Sequence, residues 1–503
     1  MKCVVQALFL PELLKGAALF CRLAVMRRNR KRGIQMEHFV AKVESVNSAV
    51  NSFAWGPLML LLLVGTGVYL TVRVHWLQVT HFGRILKNTV GTLFRKDKKA
   101  KDNGANISAF EAVTTALAGT VGTGNIAGVT GAIFTGGAGA VFWMWVAAFF
   151  GMVTKYAEIV LAMKYRIKDE KGVYHGGPMY YIENGIGKNW KWMAVIFCLL
   201  GGFASFGIGN IAQSSEISGA LKDLFHLPEV ASGILIAVVV ALVTLGGIKR
   251  IGKVTSLLVP FMSAFYILAG IVLIIMRIGQ IPGVFAEIFK GAFSFKSVGG
   301  GLFGYTIMMA MKQGFARGVF SNEAGLGSAP IAHAASSTEE PCEQAIWGVF
   351  EVFIDTIVIC SITAFAVLLS GILDAEGGLS AFTSKGAAAA AAFNTILPGT
   401  LGGKIIELSL LFFALSTILS WAYYGENCWG YLTKNNSTVL LVYKIIFALV
   451  CIVGAVGSGA LMWDIADTLN GLMAIPNLIA LLMLSGVVAK LTKDYLSKNL
   501  LKK

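Results

Sequence analysis

Two glycine-dense, polar runs interrupt otherwise hydrophobic segments of the chain. One is Gly119-Thr120-Val121-Gly122-Thr123-Gly124-Asn125-Ile126-Ala127-Gly128; the other is Ser321-Asn322-Glu323-Ala324-Gly325-Leu326-Gly327-Ser328-Ala329-Pro330. Unpaired backbone groups at membrane depth are costly, on the order of several kcal/mol each, and persist only where protein or a polar cavity satisfies them. An unwound Gly-Thr-Gly-Asn stretch exposes amide donors at the start of a half-helix, where the positive dipole end suits a carboxylate. Carbonyls left at the end of the preceding half suit a small hard cation such as Na+. Together they suit a zwitterionic amino acid and a coupling ion. A lone run of this kind reads equally well as a place where helices pack closely. Two in corresponding positions read as a binding site.

The elements that must carry these runs follow from composition. Of 503 residues, 56% are hydrophobic and 14% are charged, against roughly 25% charged in soluble proteins. Repeated uninterrupted apolar stretches make this an all-α polytopic membrane protein. They lack the short apolar–polar alternation of a transmembrane barrel. Eleven spans are expected, near 54–72, 108–134, 139–163, 192–220, 230–247, 254–276, 300–335, 345–371, 404–430, 438–458 and 460–489. The two polar runs fall in the second and the seventh. Five spans separate the starts of these units, so the units are antiparallel, as in a 5+5 inverted repeat with one extra N-terminal helix. The divisions are therefore a peripheral helix and basic loop (54–107), a first repeat (108–276), a connection (277–299), a second repeat (300–489) and a basic tail (490–503).

Charge sets the orientation. The chain has 42 Lys+Arg against 27 Asp+Glu, an excess that in a soluble protein points to nucleic acid but here is gathered in loops. Connections 73–107, 164–191, 248–253, 336–344, 433–437 and the tail hold 23 Lys/Arg, whereas 221–229, 277–299, 372–403 and 459 hold 5. The first set, with the C-terminus, is expected in the cytoplasm. Arg27, Arg28, Arg30, Lys31 and Arg32 break that rule. Residues 1–53 are accordingly expected to be an N-terminal extension without a site, either disordered or with its first 35 residues preceding a true start at Met36.

Further motifs carry a resemblance. The run from Gly136 through Trp143 and Trp145 to Gly151, the run Gly176-Gly177-Pro178-Met179-Tyr180-Tyr181-Ile182-Glu183, the segment Arg317 to Gly325, and Trp421-Ala422-Tyr423-Tyr424-Gly425-Glu426 resemble the alanine or glycine:cation symporters of bacteria and archaea. The likeness covers about residues 50–490 and implies a LeuT-like fold in the cytoplasmic membrane of a prokaryote. Carried over residue by residue, it implies that Thr123 and Gly124 hold the substrate carboxylate through their amides, flanked by Thr120, Gly122 and Asn125. Gln213 is the expected side-chain partner, Phe320, Ser321 and Asn322 close the pocket, and Trp421 is a wall that limits substrates to the size of Ala, Gly or Ser. For Na+, Ala118, Val121 and Phe413 would give carbonyls and Ser416 and Thr417 hydroxyls. The i, i+3, i+4 spacing of the last three puts them on one helix face. Such hydroxyls also bond back to their own helix.

Charges inside spans are candidates by default. Glu323 reads as a half-helix cap. Asp355 reads either as an ion-pair partner of Lys312 or Arg317 or as a proton site, and Asp464 and Asp467 read as caps starting the last span. Enzyme chemistry is not expected: no HExxH, GxSxG or P-loop occurs, and among the six histidines only His333 falls within a span. Seven cysteines without a CxxC pair indicate neither a disulfide framework nor zinc. The expected function is a secondary active symporter that imports a small neutral amino acid with Na+, H+ being the other candidate ion, without an organic cofactor or nucleic acid. An ion or solute channel is the alternative, disfavoured because filters are built from repeated loops or charge rings around an axis. The lipid bilayer is the expected surrounding, and nothing in the sequence fixes the oligomeric state.

Overall fold

The computed structural model describes residues 30–93, 107–170, 172–293, 303–374, 377–457 and 459–500. The described residues 30–52 form a unit of their own. Helix α1 (Arg30–Ala54) runs through it. Residues 1–29, with Arg27 and Arg28, lie outside the described part.

The second unit, from Phe53 onward, is a helix bundle. Its first long helix is α2 (Pro57–Arg73), started by a proline in its first turn. The first broken span comprises α3 (Ala109–Thr120) and α4 (Val129–Gly136), with a π-helical turn at Gly124–Gly128 between them. The halves are bent by 43°. α5 (Gly139–Tyr165) follows, and a two-stranded hairpin, β1 (Ile167–Lys168) with β2 (Tyr174–His175), leads to α6 (Lys191–Phe206) and α7 (Ala212–Phe225). α8 (Glu229–Thr244), α9 (Gly247–Met276) and α10 (Ile281–Phe293) complete the first half. The second broken span is α11 (Phe303–Asn322) with α12 (Ala329–Ala334). Beyond it lie α13 (Pro341–Val352) and α14 (Ser361–Ser370), then α15 (Lys385–Asn394), α16 (Leu401–Leu432), α17 (Ser437–Val456) and α18 (Gly459–Met483). By length and composition, eight described helices can cross a membrane, nine when the bent pair is counted as one span.

Local chemistry accounts for where the first broken span begins and stops. Ser108 caps α3 in a capping box: its Oγ accepts from the Glu111 amide, and the Glu111 carboxylate accepts from the Ser108 amide at 2.8 Å. The helix ends at Val121, whose ψ of 88° leaves the helical region. The fourth expected span stays continuous but contains a π turn, Gly207–Ile211, and so does the span joining α13 to α14, at Phe353–Cys360. Both turns sit beside polar residues of the site, as π turns often do.

α5 is the most buried long helix at the centre, and it packs against α11 and α13. Two further contacts tie the broken spans together. The Ile107 amide donates to the Ala335 carbonyl and the Ser337 amide to the Ile107 carbonyl, a short parallel bridge between the start of one span and the end of the other. Arg166 then donates to the carbonyls of Ala334, Ser336 and Thr338 at 3.0, 2.6 and 2.7 Å, with its guanidinium 3.7 Å from the Tyr174 ring centre. Asp464 and Asp467 do not cap the last span: α18 starts before them at Gly459. Asp467 instead takes a bidentate pair of bonds from Arg317, at 3.1 and 2.8 Å.

Candidate substrate and cation site

The break in the first span is ordered by its own residues. The Asn125 Oδ1 accepts from the Gly122 amide at 2.8 Å, and the Gly122 carbonyl accepts from the Asn125 amide at 3.2 Å. Gly124 opens the π turn, so its amide is one of the first N–H groups of a helix, which lack intrahelical partners. Thr123 is fully buried, and its Oγ1 has no hydrogen-bond partner among the described residues.

Gly124 lies against the second broken span. A Cβ there would sit 3.0 Å from Phe320 Cδ1 and 3.5 Å from Ser321 Cα. Phe320 stacks on Trp463, ring centres 5.4 Å apart, with the Arg317 guanidinium 5.3 Å from its ring centre. On another side, Tyr424 approaches Gly119, where a Cβ would be 2.8 Å from the hydroxyl oxygen, and Trp421 meets the Tyr424 ring edge-on. Trp421 also covers Gly209 in the π turn of the fourth span. Gln213, just past that turn, donates from Nε2 to the Ile208 carbonyl, and its Oε1 is buried without a partner among the described residues. Tyr424 Oη is in the same condition. Buried polar atoms are almost always satisfied; among those without a partner in the described residues, which include Glu158 Oε2 and others elsewhere, Thr123 Oγ1, Gln213 Oε1 and Tyr424 Oη belong to the elements around the first break.

The expected cation ligands come together. Thr417 Oγ1 donates to the carbonyls of Ala118 and Phe413 at 3.0 and 2.9 Å; Ser416 Oγ lies 2.8 Å from the Phe413 carbonyl and 3.4 Å from that of Ala118. The bonds to Phe413 are the intrahelical kind that carry no message. Those to Ala118 cross from α16 to the end of α3. Gly122 is pressed on the same hydroxyl, its Cβ position 2.5 Å from Thr417 Oγ1, which brings the Val121–Gly122 linkage alongside. Two carbonyls and two hydroxyls from facing helices form a donor set for a hard cation.

Other expected residues are placed differently. Thr120 turns its hydroxyl to the Leu117 carbonyl and to Glu351. Asn322 accepts from the Ala324 amide in its own break and donates to Thr356 in the π turn of the next span. Asp355 pairs with neither Lys312 nor Arg317. Its carboxylate accepts from Asn125 Nδ2 at 2.7 Å and from Ser321 and Thr356 hydroxyls at 2.8 Å each, so one buried side chain joins both broken spans. Glu323 has φ +56° and accepts from Ser328, the residue before α12, so it braces the break and does not cap α12 itself. The roles of Lys155 and Glu158 escape a local reading, although their i, i+3 spacing on a buried helix was a signal.

Two broken helices brought together in a helix bundle, with an oxygen cluster beside the first break, are the arrangement found in secondary transporters. Residues 40–503 match the sodium:alanine symporter family, and the chain belongs to that family. It is thus a membrane protein of Na+-coupled amino-acid symport and not an enzyme. Among its relatives is the sodium/alanine symporter AgcS of Methanococcus maripaludis, 49% identical over 453 residues that cover 90% of this chain and 97% of that one. The probable sodium/glutamine symporter GlnT of Bacillus subtilis is 37% identical over 90% of this chain and 91% of its own. A putative sodium/proton-dependent alanine carrier, YrbD of the same organism, is 36% identical over 89% and 91%. A solved structure of a Na+-coupled sialic acid symporter in a substrate-bound outward-open state is similar at 15% identity and a TM-score of 0.47, covering 87% of this chain and 86% of that one.

Proposed function

We propose that this protein imports alanine or glycine with Na+ by alternating access across a prokaryotic cytoplasmic membrane, with its basic loops and C-terminus inside. The observation that carries the reading is the cross-helix oxygen cluster of Ala118, Phe413, Ser416 and Thr417, against Gly122, the residue before Thr123 and Gly124. Na+ bound among these oxygens and the Val121 carbonyl joins α16 to the first broken span. The amino-acid carboxylate then meets the Thr123 and Gly124 amides at the positive end of a half-helix. Gln213 Oε1 serves as an acceptor for the ammonium group. Coupling is the difference in affinity that each ligand shows for the two access states. The same inverted pair of broken spans supports the division into repeats 108–276 and 300–489.

The test is uptake of labelled alanine and glycine into proteoliposomes under an imposed Na+ gradient or an imposed pH gradient. Uptake driven by Na+ alone is expected. Uptake driven by pH alone would move the coupling to the buried Asp355, and uptake under neither gradient would overturn the substrate assignment. Gly124→Val is expected to abolish uptake, because even the first added carbon meets Phe320 at 3.0 Å.

Trp421 sets the size limit in this reading. Trp421→Leu is expected to raise uptake of valine relative to alanine by about tenfold or more, the usual scale for one or two methylenes of pocket space. An unchanged ratio in competition assays would remove Trp421 from the pocket wall.

A further inference from the structure

The two broken spans look alike in sequence but differ in what satisfies them. One face of α5 reaches the second break with two opposite charges a single turn apart, both fully buried. Lys155 Nζ donates at 2.7 Å to the carbonyl of Asn322, the last residue of α11. Glu158 Oε1 accepts from the amides of Gly325 and Gly327, both at 3.0 Å, on the approach to α12. The positive group thus sits at the negative end of one half-helix and the negative group beside the free amides before the next. Asn477 of α18 adds a bond to Glu158 and one to the Gly325 carbonyl. Lys155 also pairs with Glu351 at 2.8 Å, and Glu351 in turn receives Thr120 at the end of α3.

We infer that Lys155 and Glu158 are positioning residues for transport. They are a built-in pair of charges that occupies the polar groups of the second break and leaves only the first break for ligand and ion. The inference rests on the alanine and Na+ reading above. In the second break the protein supplies what a ligand supplies in the first. Phe320 and Ser321, immediately before Asn322, are thereby held as a wall at fixed distance from Gly124. Through Glu351 and Thr120, the same charges set the end of α3, from which the ligand-binding stretch departs.

Hydrogen exchange of the full-length protein, with and without Na+ and alanine, tests this on the unaltered chain. Amides of 323–328 are expected to be equally protected in both conditions, while those of 122–126 gain protection with ligand. Protection of 323–328 that appears only with ligand would overturn the proposal. Protection there that is equal, together with no response in 122–126 and no uptake, would count against the substrate reading and not against the clamp.

Variants add a kinetic readout. Lys155→Met/Glu351→Gln removes the Lys155–Glu351 ion pair as a unit, while Glu158 keeps its bonds from Gly325, Gly327 and Asn477 and the residue at 351 keeps an oxygen for Thr120 and His333. It is expected to keep a thermal midpoint near that of the parent while the KM for alanine rises about tenfold, with a smaller change in maximal rate. Glu158→Gln, which retains an oxygen for the two amides, is expected to hold KM within about threefold of the parent. A folded double variant with the parent's KM would mean the charges stabilise the fold and position nothing.

Discussion

Gly122→Ala is expected to cost the transporter most of its Na+ affinity while leaving it folded. The added carbon would lie 2.5 Å from Thr417 Oγ1 and 3.5 Å from Thr417 Cβ. Backbone strain is not the cause, since Gly122 has no positive φ, and both of its hydrogen bonds with Asn125 use its backbone, which alanine retains. Thr417 must rotate or retreat, and its bonds to the Ala118 and Phe413 carbonyls are lost with it. Displacing one oxygen ligand or its support weakens metal sites by about 10–100-fold, or roughly 1.4–2.7 kcal/mol. The half-saturating Na+ concentration for alanine uptake should rise by that factor, and alanine affinity should fall only through its coupling to Na+. Gly219→Ala is the control: its Cβ meets nothing within 4 Å, so Na+ dependence should not move. Equal Na+ dependence in the Gly122 variant would remove Thr417 from the cation site.

The second large effect falls on stability. Gly327 has φ +82°, and a Cβ there would be 2.5 Å from Pro178 Cγ, 3.0 Å from Asn477 Cγ and 3.1 Å from Phe197 Cε2. A left-handed backbone costs a residue with a side chain about 1–2 kcal/mol, and overpacking a filled core adds about 1–3 kcal/mol. None of the three neighbours is the free end of a flexible chain. Gly327→Ala should therefore lower the thermal midpoint of the purified protein sharply. Gly371→Ala separates the two causes, because Gly371 shares the positive φ of +71° but faces open space. It should show only the smaller backbone cost. Equal losses in the two variants would mean that packing around Gly327 contributes nothing.

Both breaks were legible in the sequence because Gly and polar residues at membrane depth violate a local rule, and a violation of a local rule is visible locally. The oxygens of Ala118, Phe413, Ser416 and Thr417 came from the family resemblance; helical spacing adds only that Phe413, Ser416 and Thr417 share a face, and their meeting with Ala118 is seen in the fold. What was not legible is pairing across long stretches of chain. Arg317 and Asp467 stand 150 residues apart, and Lys155 and Asn322 stand 167 apart. No periodicity of 3.6 residues reports on such partners. The ion-pair reading of Asp355 with Lys312 or Arg317 failed for that reason, since its partners, the Asn125 amide and the Ser321 and Thr356 hydroxyls, are mostly brought to it by the packed bundle. The π turns at Gly207–Ile211 and Phe353–Cys360 were missed because each adds a residue to a helix without changing its apolar character.

The short parallel bridge of Ile107 to Ala335 and Ser337, locked by Arg166, has a mechanical consequence. The front of α3 and the back of α12 are stapled at one end of the bundle, so neither can swing away while the other stays. Two door leaves that would otherwise have separate hinges share a single latch. While that latch holds, opening this end requires one concerted movement of both leaves.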